Sequence, residues 1–277
     1  MRVIVGNTVR RLAWNGISPR YSGLKVVSPG EKAVPRFSNN EVVIASLTDW
    51  VRDQLDEGAC ASFAGLYAMR WLAVKLGLPT MLLSPQDLYF NVRQRIHTWP
   101  SDSGSTMTDV SWTLHADGVA MESDWPYVSG QYNQRPPAAC SASRFKHKSL
   151  DAFSIPGNQT ALSILNSRGP FIVGIPIYSN FPGIQGSPDD GTGLVSLPTI
   201  FDQYLGGHGV CIMDYSLDPK TYVRLGKTVV VPYPHLVMVN SWSAQWGHAG
   251  FCYLPLTMMD QGMLQEMISI LKEKDVV

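Results

Sequence analysis

Three side chains far apart in the sequence could together run acyl-transfer chemistry on a sulfur nucleophile. Cys60 closes the string Asp53-Gln54-Leu55-Asp56-Glu57-Gly58-Ala59-Cys60, at the head of a run of strong helix formers. A cysteine in the first turn of a helix has the positive end of the peptide dipole beside it, which favours thiolate over thiol. Gly58 and Ala59 keep the approach narrow and let backbone amides face a substrate. His208 sits in Gly206-Gly207-His208-Gly209-Val210, heading an apolar segment, between residues too small to cover it. Asn240 ends another apolar segment in Val239-Asn240-Ser241-Trp242-Ser243-Ala244-Gln245-Trp246-Gly247. Each alone has a plain structural reading: a core cysteine, a satisfied core histidine, a turn asparagine, tryptophans chosen for bulk. Together, in the order Cys, His, Asn, they match a nucleophile, its general base and the group that orients that base.

These residues need elements to hold them. From Cys60 to Leu76 the chain is apolar on nearly all sides, which predicts a buried helix. Gly77 and Leu78-Pro79 supply its stop. Ser84-Pro85-Gln86-Asp87 reads as the cap and first turn of a second helix, and a third runs from about Thr108 to Ala116. Beyond residue 150 the texture changes to short β-branched segments around 171–175, 209–213, 228–231, 235–239 and 250–254, separated by Gly, Pro, Asn and Asp. The stretch 257–274, TMMDQGMLQEMISILKEK, reads as a C-terminal helix. Residues 1–40, with Pro19, Pro29 and Pro35 and no helical period, read as an extended strap. Helices first and strands afterwards predict an α+β protein of two lobes. The expected units are the strap 1–40, a mainly helical lobe 41–150 carrying Cys60, and a mainly β lobe 151–277 carrying His208 and Asn240.

Composition narrows the partners. The chain has 277 residues, 45% hydrophobic and 16% charged, enough for a sizeable core. Its 22 basic and 22 acidic side chains cancel, so no basic surplus points to nucleic acid or an acidic membrane. No apolar run approaches the roughly 20 residues of a membrane span. The opening MRVIVGNTVRRLAWNG lacks the order of a signal peptide, giving the expectation of a cytoplasmic or virion-associated protein. The four cysteines and six histidines are scattered, with no HExxH or CxxC, so neither a metal nor a cofactor is expected. Cys211 and Cys252 read as core, and Cys140 carries no signal.

At this point the sequence resembles the papain family of cysteine peptidases. Gln54 precedes Cys60 by six positions, as the family's oxyanion-hole glutamine does, and Gly58-Ala59-Cys60 matches its Gly-Ser/Ala-Cys. His208 matches the histidine of its "HAV" strand, and Asn240-Ser241-Trp242 with Trp246-Gly247 matches "NSW…WG". The resemblance continues through Leu83-Ser84-Pro85-Gln86-Asp87-Leu88-Tyr89, Asp117-Gly118-Val119, Trp125-Pro126-Tyr127 and Gly169-Pro170-Phe171. It is nearest to the disulfide-free bacterial and viral branch, including a short stretch around Arg10-Arg11-Leu12-Ala13-Trp14.

The resemblance implies a papain-like two-lobe fold. In it a long central helix starts at the nucleophile, and a groove separates the helical lobe from an antiparallel, β-barrel-like lobe. It also implies a polypeptide substrate, a Cys60–His208 thiolate–imidazolium pair, Asn240 as orienter, Trp242 as its screen, and Gln54 with the Cys60 amide as oxyanion hole. Gly104, Ser105 and Gly207 fall where substrate would lie. Glu57 replaces the usual disulfide cysteine, which implies a protein without disulfides. Ala61 replaces a tryptophan, and Ser243 and Asp214 each replace a glycine. These departures keep two alternatives to hydrolysis: an inert scaffold for binding or assembly, such as a virion component, and acyl or peptidyl transfer by the same chemistry.

Overall fold

The computed structural model describes residues 1–16, 25–26, 50–75, 77–79, 82–149, 151–184 and 186–270. Helix α1, Cys60–Lys75, buries every residue from Cys60 to Leu72, as its all-round apolar sequence requires. Helix α2, Pro85–Arg95, starts where expected: Ser84 Oγ accepts from the Asp87 amide at 3.0 Å. Helix α3, Met107–Ala116, is capped in the same way by Thr106, which accepts from the Asp109 amide. The short α4, Ala138–Ser143, completes the helical side.

The second half is built on a seven-stranded sheet. Its strands are β3 (Lys25–Val26), β4 (Phe153–Ser154), β5 (Phe171–Tyr178), β6 (Tyr204–Ser216), β9 (His235–Val239), β10 (Phe251–Pro255) and β11 (Gln265–Ser269), in the order β10-β9-β6-β5-β11-β4-β3. All neighbours are antiparallel except β3 and β4. The end strands do not meet, so the expected barrel-like lobe is an open sheet. Helix α5, Asn158–Ser167, packs on β5 and β6. Two hairpins stand outside the sheet, β1–β2 (Arg2–Val5, Thr8–Arg11) and β7–β8 (Lys220–Arg224, Lys227–Val231).

Strand β6 lies between two hydrophobic cores. Its alternating side chains put Cys211 and Met213 with α1, α2 and α3, and Val210 and Ile212 with α5 and the two tryptophans Trp242 and Trp246. Helix α1 approaches β6 very closely, and Gly209 permits it. A Cβ on Gly209 would lie 2.9 Å from the Ala61 Cα and 2.5 Å from Met107 Cε.

The expected C-terminal helix is not formed. One turn, α6 (Thr257–Asp260), ends near Gly262 at φ +68°, and the chain then extends into β11. The methionine-rich stretch could have served either period. Pairing of Gln265 and Ile268 with Gly174 and Ile172 of β5, and of Ile268 and Ser269 with β4, buries Met267 and Ile268 within the sheet, and this wins over helix propensity. Residues 271–274 of that expectation, Leu76 of the first helix, and residues 17–24 and 27–40 of the strap lie outside the described residues.

Candidate active site

The close approach of α1 to β6 sets Cys60 against the strand that carries His208. The Gly209 amide donates to Cys60 Sγ at 3.4 Å. The antiparallel register of β6 and β9 places Cys211 opposite Val239, so residues just before 211 run beside those just after 239. His208 Nε2 thereby meets Asn240 Oδ1 at 2.7 Å. That oxygen also accepts the Ser241 amide at 2.8 Å. A side-chain carbonyl only accepts, so Nε2 carries the ring proton. Nδ1 is buried and makes no hydrogen bond among the described residues. The fully buried Trp242 ring lies 5.0 Å from the imidazole and keeps water from its bond to Asn240.

Gln54 is held by the turn after β9. The Ser241 hydroxyl donates to Gln54 Oε1 at 2.6 Å, which aims Nε2 into the groove. There Nε2 donates to the Glu57 carbonyl at 3.0 Å and to the Arg11 carbonyl at 2.9 Å. The second of these acceptors belongs to the N-terminal segment, which fills the groove.

Residues 11–15 thread between the lobes. The Ala13 amide points at the Cys60 sulfur. Ser105 donates to the Ala13 carbonyl and accepts from the Asn15 amide, both at 3.3 Å, and Trp14 N donates to the Gly207 carbonyl at 3.1 Å. Gly104, at φ +73°, could carry no Cβ here, because one would lie 2.0 Å from the Ala13 carbonyl oxygen. The Trp14 indole lies flat on Gly174 and Gly207, where a Cβ would come within 2.5 Å of the ring. Its Nε1 donates to Glu266 Oε2 at 3.0 Å. The preceding hairpin bridges both lobes. Val3, Val5 and Leu12 join the core that holds Trp242 and Trp246. On the helical side Arg2 pairs with Asp56 at 2.6 Å, Arg10 with Asp53 at 2.5 Å and Arg11 with Asp102 at 2.8 Å.

This cover decides the electrostatics. Cys60 and His208 are both 0% exposed. Burial pushes the Cys60 thiol up, against the opposing pull of the Gly209, Ala13 and Ala61 amides. Burial lowers His208 to about 4, opposed by its bond to Asn240. In the closed groove both groups are therefore neutral, and desolvation outweighs the helix terminus that was expected to hold a thiolate. Opening the groove returns water to both groups and lifts that penalty.

Cys60, His208, Asn240, Gln54 and Trp242 thus converge, and Ser105 and Gly207 line the groove beside them. Gly58 serves differently from expectation: its amide donates to Asp102 Oδ1 at 2.9 Å. Sequence reasoning missed Arg11, Trp14, Asp102 and Glu266. Glu266, at φ +55°, accepts from the Met107 and Thr108 amides at 2.9 and 3.2 Å and from Thr108 Oγ1 at 2.6 Å. It was hidden because its segment reads as a helix. Glu57 stands in place of the disulfide cysteine. Gly130 N and Gln86 Nε2 donate to it at 3.0 and 3.2 Å, and burial lifts its pKa to about 7. All four cysteines are free thiols. Among the described residues no cluster of three or more His, Cys, Asp or Glu could hold a metal, and no helix is long and apolar enough to cross a membrane.

Comparison with known proteins gives the family and the fold. The family model "Papain family cysteine protease" matches residues 43–270. An uncharacterized peptidase C1-like protein of Acanthamoeba polyphaga mimivirus is 24% identical over 213 residues, 73% of this chain and 63% of that protein. The chain thus spans less than two thirds of that relative's length. A gut-specific cysteine proteinase of Caenorhabditis elegans is 23% identical over 257 residues, covering 78% of this chain and 71% of that one. Among solved structures, xylellain, a cysteine protease from Xylella fastidiosa, superposes with a TM-score of 0.75 at 20% identity, covering 99% of this chain and 98% of its own. Digestive procathepsin L 3 of Tenebrio molitor larval midgut gives a TM-score of 0.64 at 17% identity, over 95% of this chain and 76% of its own.

Proposed function

The chain belongs to the papain family of cysteine proteases, and on that premise we propose that it is a thiol-dependent endopeptidase. Cys60 attacks the peptide carbonyl as a thiolate, formed when His208 Nδ1 takes the thiol proton. Asn240 holds the imidazole in the tautomer this needs, and Trp242 screens the contact. The oxyanion is held by the Gln54 amide and the Cys60 backbone N–H. His208 then returns its proton to the leaving amine, and water releases the acyl group from Cys60. The carrying observation is the His208 Nε2–Asn240 Oδ1 contact of 2.7 Å, which leaves Nδ1 unpaired beside the strand that touches Cys60 Sγ. The closed state described above is latent, because residues 11–15 occupy the oxyanion donor and both walls of the groove.

A second reading, an inert scaffold for binding or assembly, draws support from the complete cover of Cys60. An epoxide active-site probe with turnover of peptide amides separates the two. Cys60→Ala and His208→Ala are expected to abolish turnover, Asn240→Ala to reduce it, and Gln54→Ala to lower kcat by roughly 10²-fold, the loss of one oxyanion donor. Absence of labelling and turnover in a protein whose groove has been opened favours the scaffold.

A further inference from the structure

Among the described residues of the N-terminal segment, Arg11 is the one whose carbonyl takes the hydrogen bond of Gln54 Nε2, at 2.9 Å. On the proposed mechanism that donor holds the oxyanion, so the Arg11 side chain marks the pocket that opens beside the oxyanion donor, while the Ala13 amide faces Cys60 Sγ. Its side chain runs to Asp102: Nη1 pairs with Oδ2 at 2.8 Å, and Nη2 donates to the Asp102 carbonyl at 2.5 Å.

Asp102 is built to receive such a group. Its Oδ1 is fixed by the Gly58 amide at 2.9 Å and the Tyr89 hydroxyl at 2.5 Å, and Tyr89 is held in turn by the Gly104 amide. That anchoring turns Oδ2 toward Arg11, and Oδ2 accepts no other hydrogen bond among the described residues. Of the other cations near Asp102, Arg93 is buried and tied to the carbonyls of Tyr89, Ser101 and Tyr132, Arg2 pairs with Asp56, and the Met1 ammonium donates to the Leu12 carbonyl. Trp99, Ser101, Tyr132 and Asn133 line the open depression around the Arg11 side chain. Arg2–Asp56 and Arg10–Asp53 lack this relation, since neither arginine presents its carbonyl to Gln54.

We propose that Asp102 is a specificity-determining residue of the groove, binding the guanidinium or ammonium group of the substrate residue whose carbonyl is attacked. Cleavage then follows arginine or lysine. Two acceptors, Oδ2 and the backbone carbonyl, face the fork of one guanidinium, so arginine is preferred to lysine. This inference deepens the peptidase reading and rests on it.

The test uses the full chain carrying Arg11→Ala, which vacates the pocket, with and without Asp102→Asn. Asparagine keeps an acceptor for Gly58 and Tyr89 and removes the charge; matching thermal melts confirm its fold. Substrates are peptidyl coumarin amides ending in Arg, Lys or Leu. The expected Arg-to-Leu ratio of kcat/KM in Arg11→Ala is about 10- to 100-fold, the scale of a charge-assisted hydrogen-bonded pair, and Asp102→Asn collapses it to within a few-fold. Equal rates for Arg and Leu, or a preference that survives Asp102→Asn, make the ion pair an anchor of the segment only and overturn the proposal. If no amide is cleaved, the peptidase reading fails instead. Binding of peptidyl-Arg and peptidyl-Leu amides to the same two variants, measured by calorimetry, then still decides the pocket: charge-dependent arginine binding supports it, and none refutes it.

Discussion

Replacing Trp14 by alanine is expected to raise the rate at which iodoacetamide modifies Cys60 by about 30-fold. The closed groove gives Cys60 no exposure, so alkylation must wait for residues 11–15 to lift. When closing is faster than alkylation, the observed rate is the open-state rate multiplied by the opening equilibrium constant. Truncating a fully buried tryptophan costs roughly 3–5 kcal/mol. Trp14 is half-buried, with one ring face on Gly174 and Gly207 and its N–H on Glu266, so about 2 kcal/mol applies to the closed state. At about 1.4 kcal/mol per decade this is about 30-fold in opening. The assay is mass-spectrometric mapping of alkylated cysteines against time near pH 7. Cys211 and Cys252, buried in strands β6 and β10, serve as internal references that the substitution leaves unchanged. Two results refute the reasoning: Cys60 in the unaltered protein reacting like an open thiol, or an acceleration in Trp14→Ala shared equally by Cys211 and Cys252.

Gly209→Ala is expected to disable the site without touching a catalytic side chain, because its Cβ would lie 2.9 Å from Ala61 Cα and push α1 away from β6. Opened-groove turnover should fall far more than the urea midpoint, and equal turnover would refute that role. Glu57 ionises with a pKa lifted from 4.5 to about 7, so its favourable neutral form is complete below pH 4.5 and lost as pH rises through 7. Glu57→Gln is therefore expected to gain stability relative to the parent between pH 5 and pH 8, by at most about 3 kcal/mol, in urea unfolding at the two pH values.

The candidate constellation was legible because its signals are local. Small residues flank His208 and Cys60, the second helix announces itself through Ser84-Pro85, and α1 is apolar all round over a length no strand reaches. The closed groove has no such signal. Trp14 meets Glu266 across 252 positions, and Arg11 meets Gln54 across 43. Nothing in Arg10-Arg11-Leu12-Ala13-Trp14 marks it as a groove occupant rather than a strap. Glu266 was obscured further, since the edge of β5 decides that its segment pairs as a strand. The balance at Cys60 was hidden for the same reason: a helix N-terminus is visible in sequence, but the burial that opposes a thiolate there comes with the cover of residues 11–15.

On the proposed mechanism those residues use the donors a substrate would use, so cover and catalysis are one equilibrium. The Gln54 amide can hold the Arg11 carbonyl or an oxyanion, and Ser105 and Gly207 can pair with residues 13–15 or with a bound peptide, in each case not both. A substrate therefore binds only the open fraction, and its apparent dissociation constant is raised by the inverse of that fraction. The same opening constant governs how fast Cys60 alkylates. Any change confined to residues 11–15 outside the Asp102 contact that weakens their hold must then shift apparent KM down and alkylation up by one common factor while the groove stays mostly closed. Release also rehydrates Cys60 and His208 together, lifting the histidine from about 4 and lowering the thiol. On the proposed mechanism, the step that admits substrate is thus the step that lets the thiolate–imidazolium pair form.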